Sequence, residues 1–149
     1  MPQPLSGGNR RRTHAHLDEL KPAQAPGSIV KTFGLCVAGW FVGYLISCVS
    51  SIAWFILGKI SPHQPASTGI MWATAIYGIL FSIVAAVVGA SFCRKFALGI
   101  GAAIALNIGV VGLWSWYSTP ADTHWSQAIA IFLMAPAAQF GALFRRSDD

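Results

Sequence analysis

Residues Phe33–Leu57 read FGLCVAGWFVGYLISCVSSIAWFIL and contain no charged side chain. Three more apolar runs follow at about 70–92, 96–117 and 126–144, separated by short polar segments. Each run supplies the roughly 20 residues that an α-helix needs to cross the ~30 Å hydrocarbon core of a bilayer. Because the connections are short, neighbouring helices are expected to run antiparallel. The sequence therefore predicts an all-α membrane protein, with an antiparallel bundle of four transmembrane helices in a domain covering about 29–146.

The composition agrees with a chain that folds in lipid. Hydrophobic residues make up 54% of the 149 positions and charged residues 10%, against about 25% charged in an ordinary soluble domain. The bilayer is therefore the first expected partner.

The positive charge is distributed unevenly between the two sets of loops. The first and third connections between the runs contain one basic residue, Lys59. The N-terminal segment, the second connection and the C-terminus together carry nine, namely Arg10, Arg11, Arg12, Lys21, Lys31, Arg94, Lys95, Arg145 and Arg146. Cytoplasmic loops carry the excess of basic residues in membrane proteins. This pattern predicts a multi-pass protein of the cell inner membrane with both termini cytoplasmic, and it argues against nucleic acid as the partner of the arginines.

Tryptophan positions give a second indication of orientation. Five of the six tryptophans fall near the predicted outer ends of the runs, namely Trp54, Trp72, Trp114, Trp116 and Trp125. Tryptophan is enriched where a membrane meets water, so the two patterns predict the same topology.

Residues 1–28 are expected to form a disordered basic tail, because four prolines and a high charge leave too little apolar surface for folding. The tail serves either as a topology determinant that contacts anionic inner-leaflet lipids or as a docking segment for a partner. Residues 147–149 are expected to be a cytoplasmic C-terminal end.

Small residues recur four positions apart in all four runs, which lets helix backbones approach closely in lipid. The expected packing positions are Gly39, Gly43, Ser47, Gly78, Ser82, Gly101, Ala105, Gly109, Ala137 and Gly141. These faces meet either within one chain or between chains.

The four runs contain no Asp, Glu, His or Arg, and intramembrane ionisable residues commonly mark ion or proton pathways. The side-chain amides of Asn107 and Gln139 are expected either to form hydrogen bonds with a neighbouring helix or to line a polar path. Pro136 removes a backbone donor and is expected to kink or open the fourth helix. Asn107, Pro136 and Gln139 are therefore the candidates for a path or a moving element.

His63, Asp122 and His124 lie in the loops predicted to face outward and are weak candidates for a zinc site, because imidazole and carboxylate groups are zinc ligands. The three cysteines predict no disulfide framework. With no phosphate-binding loop, nucleophile elbow or paired carboxylates, the sequence predicts no cofactor and no enzyme.

The fourth run contains Trp125-Ser-Gln-Ala, then Ala135-Pro-Ala-Ala-Gln-Phe-Gly141, and is followed by Arg145–Arg146. In these features the chain resembles small four-helix bacterial inner-membrane proteins that have no assigned activity. The resemblance covers one helix closely and implies the four-helix fold without implying a reaction.

Two functional hypotheses follow from these features. The first is a non-enzymatic structural or accessory subunit that packs with membrane partners or with copies of itself. The alternative is a small transporter or channel with a path near Asn107, Pro136 and Gln139.

Overall fold

A computed structural model describes residues 26–146, and every regular element in that range is helical. Helix α1 covers Pro26–Leu57, α2 covers Thr68–Ser91, and α3 covers Ala97–Ser118 after a short 3₁₀ turn at Arg94–Phe96. Helix α4 covers Trp125–Leu143. Most of the expected basic tail, including its arginines, lies outside the described residues, as do residues 147–149.

All four helices have the length and the apolar composition needed to cross a membrane. This confirms the prediction of an all-helical chain with four such helices. The helix packing described below lies within the compact unit that begins at Thr32.

The helix bounds differ from the apolar runs mainly at the start of α1. That helix begins at Pro26, seven residues before the run, so residues 26–28 of the expected tail are helical. Proline suits a first helical position because its fixed φ fits the helix and the missing N–H has no intrahelical acceptor there. Helix α2 begins at Thr68, where the Ser67 hydroxyl accepts a hydrogen bond from the Ile70 amide at 3.4 Å.

Helices α1 and α2 come into backbone contact at Gly39 and Gly89. A Cβ on Gly39 would overlap the carbonyl oxygen of Gly89, and a Cβ on Gly89 would lie 2.6 Å from the carbonyl oxygen of Gly39. Because real Cβ atoms do not approach carbonyl oxygens so closely, the crossing requires glycine on both helices.

Other predicted small positions form the remaining contacts. A Cβ on Gly141 would lie 2.6 Å from the carbonyl oxygen of Ile83, which puts α4 against α2, and one on Gly101 would overlap the methyl group of Ala142, which puts α3 against α4. The packing positions that are buried are Gly39, Gly43, Ser47, Gly78, Ser82, Gly101, Ala137 and Gly141. Ala105 is half-buried against the core, whereas a Cβ on Gly109 would meet nothing within 4 Å. At Gly39, Gly43, Gly78, Gly101 and Gly141 the small-residue faces therefore contact another helix of the same chain.

Ile104 is fully buried where three helices meet. Its Cδ1 atom lies beside Gly43 of α1 and Gly89 of α2. The side chain of α3 thus fills the space that the two glycines leave open, and this part of the interior is closely packed.

Helix α4 changes its hydrogen-bond pattern before Pro136. Residues Ala130–Met134 form a π turn, and the amide of Ala135 donates to the carbonyl of Ala130. π turns and prolines both interrupt the regular α-helical ladder, and this π turn ends two residues before the proline. The ring of Pro136 itself is exposed.

Candidate ligand-binding cavity

A cavity of about 480 Å³ lies among the four helices, next to the connection 58–67 and the start of α4. Its walls are largely apolar, with Phe55 of α1, Gly78 of α2, Ile108 of α3 and Met134 of α4 among the lining residues. Small-molecule sites in proteins typically enclose about 300–1,000 Å³ and have mainly apolar walls with few polar groups. The cavity has these properties.

The polar groups in the cavity wall are mostly hydroxyls. They come from all four helices and belong to Tyr44, Ser47, Ser51, Thr74, Tyr77, Ser115 and Ser126. The Trp54 indole Nε1 donates to Thr74 Oγ1 at 3.0 Å. The Trp54 ring also stacks on Tyr77 with a centroid separation of 4.5 Å, and Tyr77 stacks on Phe81 at 4.4 Å. This aromatic ladder holds α1 and α2 together along one side of the cavity.

Gln127 is the central polar residue of the site, with only 4% of its surface exposed. Its Nε2 donates to Ser115 Oγ at 3.2 Å. Its Oε1 lies 2.9 Å from Ser126 Oγ, whose single hydroxyl hydrogen it shares with the carbonyl of Pro62. The amide therefore bridges α3 and α4 where the cavity meets the loops. Gln127 was not among the expected site residues, although an amide in the first turn of an apolar run is a visible signal in the sequence.

The connections 58–67 and 119–124, together with the start of α4, form a joined surface that we call the loop cap. Three hydrogen bonds join it: Trp125 Nε1 to the Gln64 carbonyl at 2.9 Å, Ser126 Oγ to the Pro62 carbonyl at 2.9 Å, and the Thr123 amide to the His63 carbonyl at 3.4 Å. The cap fixes the two connections to each other over the cavity.

The loop cap brings two of the three candidate metal ligands together. His63 Nδ1 lies 3.3 Å from Asp122 Oδ2, and both side chains are partly exposed. His124, the third candidate, makes a different contact: its ring stacks on that of Trp116 at a centroid distance of 4.6 Å. Within residues 26–146, no three His, Cys, Asp or Glu side chains are grouped so that they could hold a metal ion.

The three residues expected to mark a polar path do not line this cavity. Pro136 is exposed, and Gln139 lies at the α3–α4 contact with its Oε1 buried and unpaired among the described residues. Asn107 is half-buried at the eleventh position of α3. Its amide has no hydrogen-bond partner among residues 26–146.

The cysteines are divided between the cavity and the opposite part of the fold. Cys48 lines the cavity. Cys36 packs against the core cluster that contains the buried Cys93, near the turn between α2 and α3. Cys48 is therefore a natural chemical reporter inside the cavity.

Comparison with known proteins gave no relative: no family model matches the sequence, and neither a curated protein nor a solved structure is similar to it at a significant level.

Proposed function

We propose that the protein is a non-enzymatic, multi-pass protein of the cell inner membrane that binds a small molecule in the cavity beneath the loop cap. The observation that carries this proposal is the cavity itself, which all four helices line and whose largely apolar walls also carry hydroxyls and one amide. Such a composition is characteristic of small-molecule sites.

In this proposal the helices run antiparallel, both termini are cytoplasmic, and the loop cap faces outward. The charge distribution supports that orientation, because Lys59 is the single basic residue of the two cap connections. The cavity would then open toward the outer leaflet. The close packing of Ile104 against Gly43 and Gly89 supports an inner half that is closed.

Filling the cavity should remove a bound molecule. Cys48→Trp places a large ring inside the cavity, whereas Val49→Trp adds the same ring at a neighbouring position that is 63% exposed. We expect wild type and Val49→Trp to retain a small molecule after extraction into native nanodiscs, and Cys48→Trp to have lost it, as measured by mass spectrometry of the organic extract.

Ser51→Leu, a smaller change in the cavity wall, covers the case in which Cys48→Trp does not fold. Folding of each variant is checked by circular dichroism and gel filtration. If the Cys48→Trp and Ser51→Leu proteins are folded and carry the same small molecules as Val49→Trp, the proposed binding role is wrong.

A second candidate is the accessory role, in which the protein associates with a second copy of itself in the membrane. The unpaired amide of Asn107 near the middle of α3 favours it. A primary amide is both donor and acceptor, so two Asn107 side chains can satisfy each other across a two-fold axis. A path past Pro136 and Gln139 has no comparable support, since neither lines the cavity.

The second candidate predicts that Asn107→Leu weakens a dimer. We expect a loss of about threefold in association, because inter-helix hydrogen bonds in membranes are worth about 0.6 kcal/mol on average. Cross-linking in native membranes followed by mass measurement checks this, with Leu106→Ala as the control on the neighbouring exposed position. A wild-type chain that is monomeric in these membranes would exclude the dimer.

A further inference from the structure

The cavity contains no group that would neutralise a charged ligand. Among the described residues that line it there is no Lys, Arg, Asp or Glu, and the imidazole of His63 lies at the loop cap beside Asp122. Removing an ion from water without a counter-charge is very costly. The walls therefore select against charged molecules of either sign.

Several of the available polar groups of the cavity are donors close to the loop cap. Gln127 uses one N–H of its amide on Ser115, which leaves the second N–H and the Ser115 hydroxyl hydrogen without an acceptor among residues 26–146. Thr74 Oγ1 accepts from Trp54, and its own hydrogen is likewise available. These donors fit an oxygen acceptor on a ligand.

On α3 and α4 the cavity wall becomes less polar away from the loop cap. Ser115 and Gln127 lie within about one turn of the connection 119–124, and Ile108 and Met134 lie about two turns further along the same helices. On these two helices a bound molecule would find hydrogen-bond donors near the cap and methyl and thioether groups further in, whereas the wall that α1 contributes carries the hydroxyl of Ser47 at a similar distance from the cap.

From this arrangement, and resting on the binding role proposed above, we infer that the ligand is an uncharged amphiphile. It carries one oxygen-bearing head, such as a hydroxyl or carbonyl group, that accepts hydrogen bonds at Ser115 and Gln127. Its apolar tail extends toward Ile108 and Met134. The volume of about 480 Å³ accommodates a molecule with a short tail.

The principal rival is a lipophilic cation bound by aromatic rings, since Tyr44, Trp54 and Tyr77 also line the cavity. Tyr77 stacks on both Trp54 and Phe81, which leaves it no open face for a cation. Tyr44 and the second face of Trp54 are not stacked on another ring among the described residues, so the cationic probe in the test below decides between the two ligand classes.

The test uses Cys48 as a reporter and three probes that share one tail. In the Cys36→Ser/Cys93→Ser protein, a methanethiosulfonate reagent modifies the remaining thiol, and the rate is measured with 1-octanol, octanoate or octyltrimethylammonium present. We expect 1-octanol to slow the reaction strongly and the two charged probes to leave it nearly unchanged. Adding Cys48→Ser and Val49→Cys to the same background moves the thiol to an exposed position, where none of the probes should slow it.

Gln127→Leu separates binding at the head from general partition into the apolar space. Losing its hydrogen bond should weaken the protection by 1-octanol about tenfold. Gln139→Leu, which changes an amide outside the cavity, should leave protection unchanged.

If octanoate or octyltrimethylammonium protects the thiol as well as 1-octanol does, the inference of an uncharged ligand is wrong, although the proposed binding role is still supported. Unchanged protection in Gln127→Leu would overturn the assigned head position. A third outcome is that no probe protects the Cys48 thiol. If the Cys48→Trp variant has nevertheless lost the small molecule that co-purifies with wild type, a ligand binds and only the inferred ligand class is wrong. If the Cys48→Trp variant has lost no molecule either, the proposed binding role is wrong.

Discussion

Gly39→Leu should destabilise the fold by about 3 kcal/mol, near the upper end of the usual cost of overpacking a close contact. The new Cβ would overlap the carbonyl oxygen of Gly89. A backbone oxygen within a helix cannot swing aside as a side chain can, so α1 and α2 must separate along their crossing. The steric cost exceeds the gain of up to about 1 kcal/mol that a better helix former than glycine brings. Thermal unfolding in detergent, followed by circular dichroism, measures the loss.

Gly34→Leu is the matched control because it makes the same change in the same helix. Position 34 is exposed, and a Cβ there meets nothing within 4 Å. Its stability should equal or slightly exceed that of wild type. Equal stability of the Gly39→Leu and Gly34→Leu proteins would contradict the α1–α2 contact.

Gly141→Leu should have the second largest effect, a loss of about 2–3 kcal/mol. A Cβ at this position would lie 2.6 Å from the carbonyl oxygen of Ile83 and 2.9 Å from its Cα atom, so backbone again blocks it. The variant should detach the C-terminal part of α4 from α2 and become sensitive to protease in native membranes. Time courses of proteolysis, read by immunoblot, measure this effect.

Gly99→Leu provides the comparison for Gly141→Leu, since position 99 is exposed and open around its missing Cβ. It should digest at the wild-type rate. If Gly141→Leu digests equally slowly, α4 does not pack on α2 at this point.

The helices were predictable because their signal is local. Twenty or so apolar residues in succession have few alternatives to a helix in lipid, and small residues such as Gly39 and Gly141 lie on packing faces because of a simple four-residue spacing. Partner identity is a different matter: nothing in the spacing indicates that Gly39 meets Gly89 and that Gly109 meets no neighbour.

The candidate site was less predictable because it depends on contacts between distant segments. Among the amides, Gln127 lies at the cavity, while Asn107 and Gln139 do not line it. Which residue faces the interior depends on helix rotation, and the π turn alters that rotation within α4. Likewise, His63 pairs with Asp122 while His124 stacks on Trp116. These contacts depend on how the two connections fold against each other, which the local sequence does not indicate.

The π turn at Ala130–Met134 also sets the rotation of the two ends of α4 relative to each other. One residue corresponds to about 100° of rotation in an α-helix, and a turn closed by an i→i+5 hydrogen bond accommodates about one residue more than an α turn. If the same residues formed a regular α-helix, Gln127 would turn by about 100° relative to Gly141. The π turn therefore allows the amide to lie at the cavity while the glycine lies on Ile83. A one-residue deletion within this turn should be tolerated better than one in the regular part of α4, because it restores the α-helix with little change in that rotation.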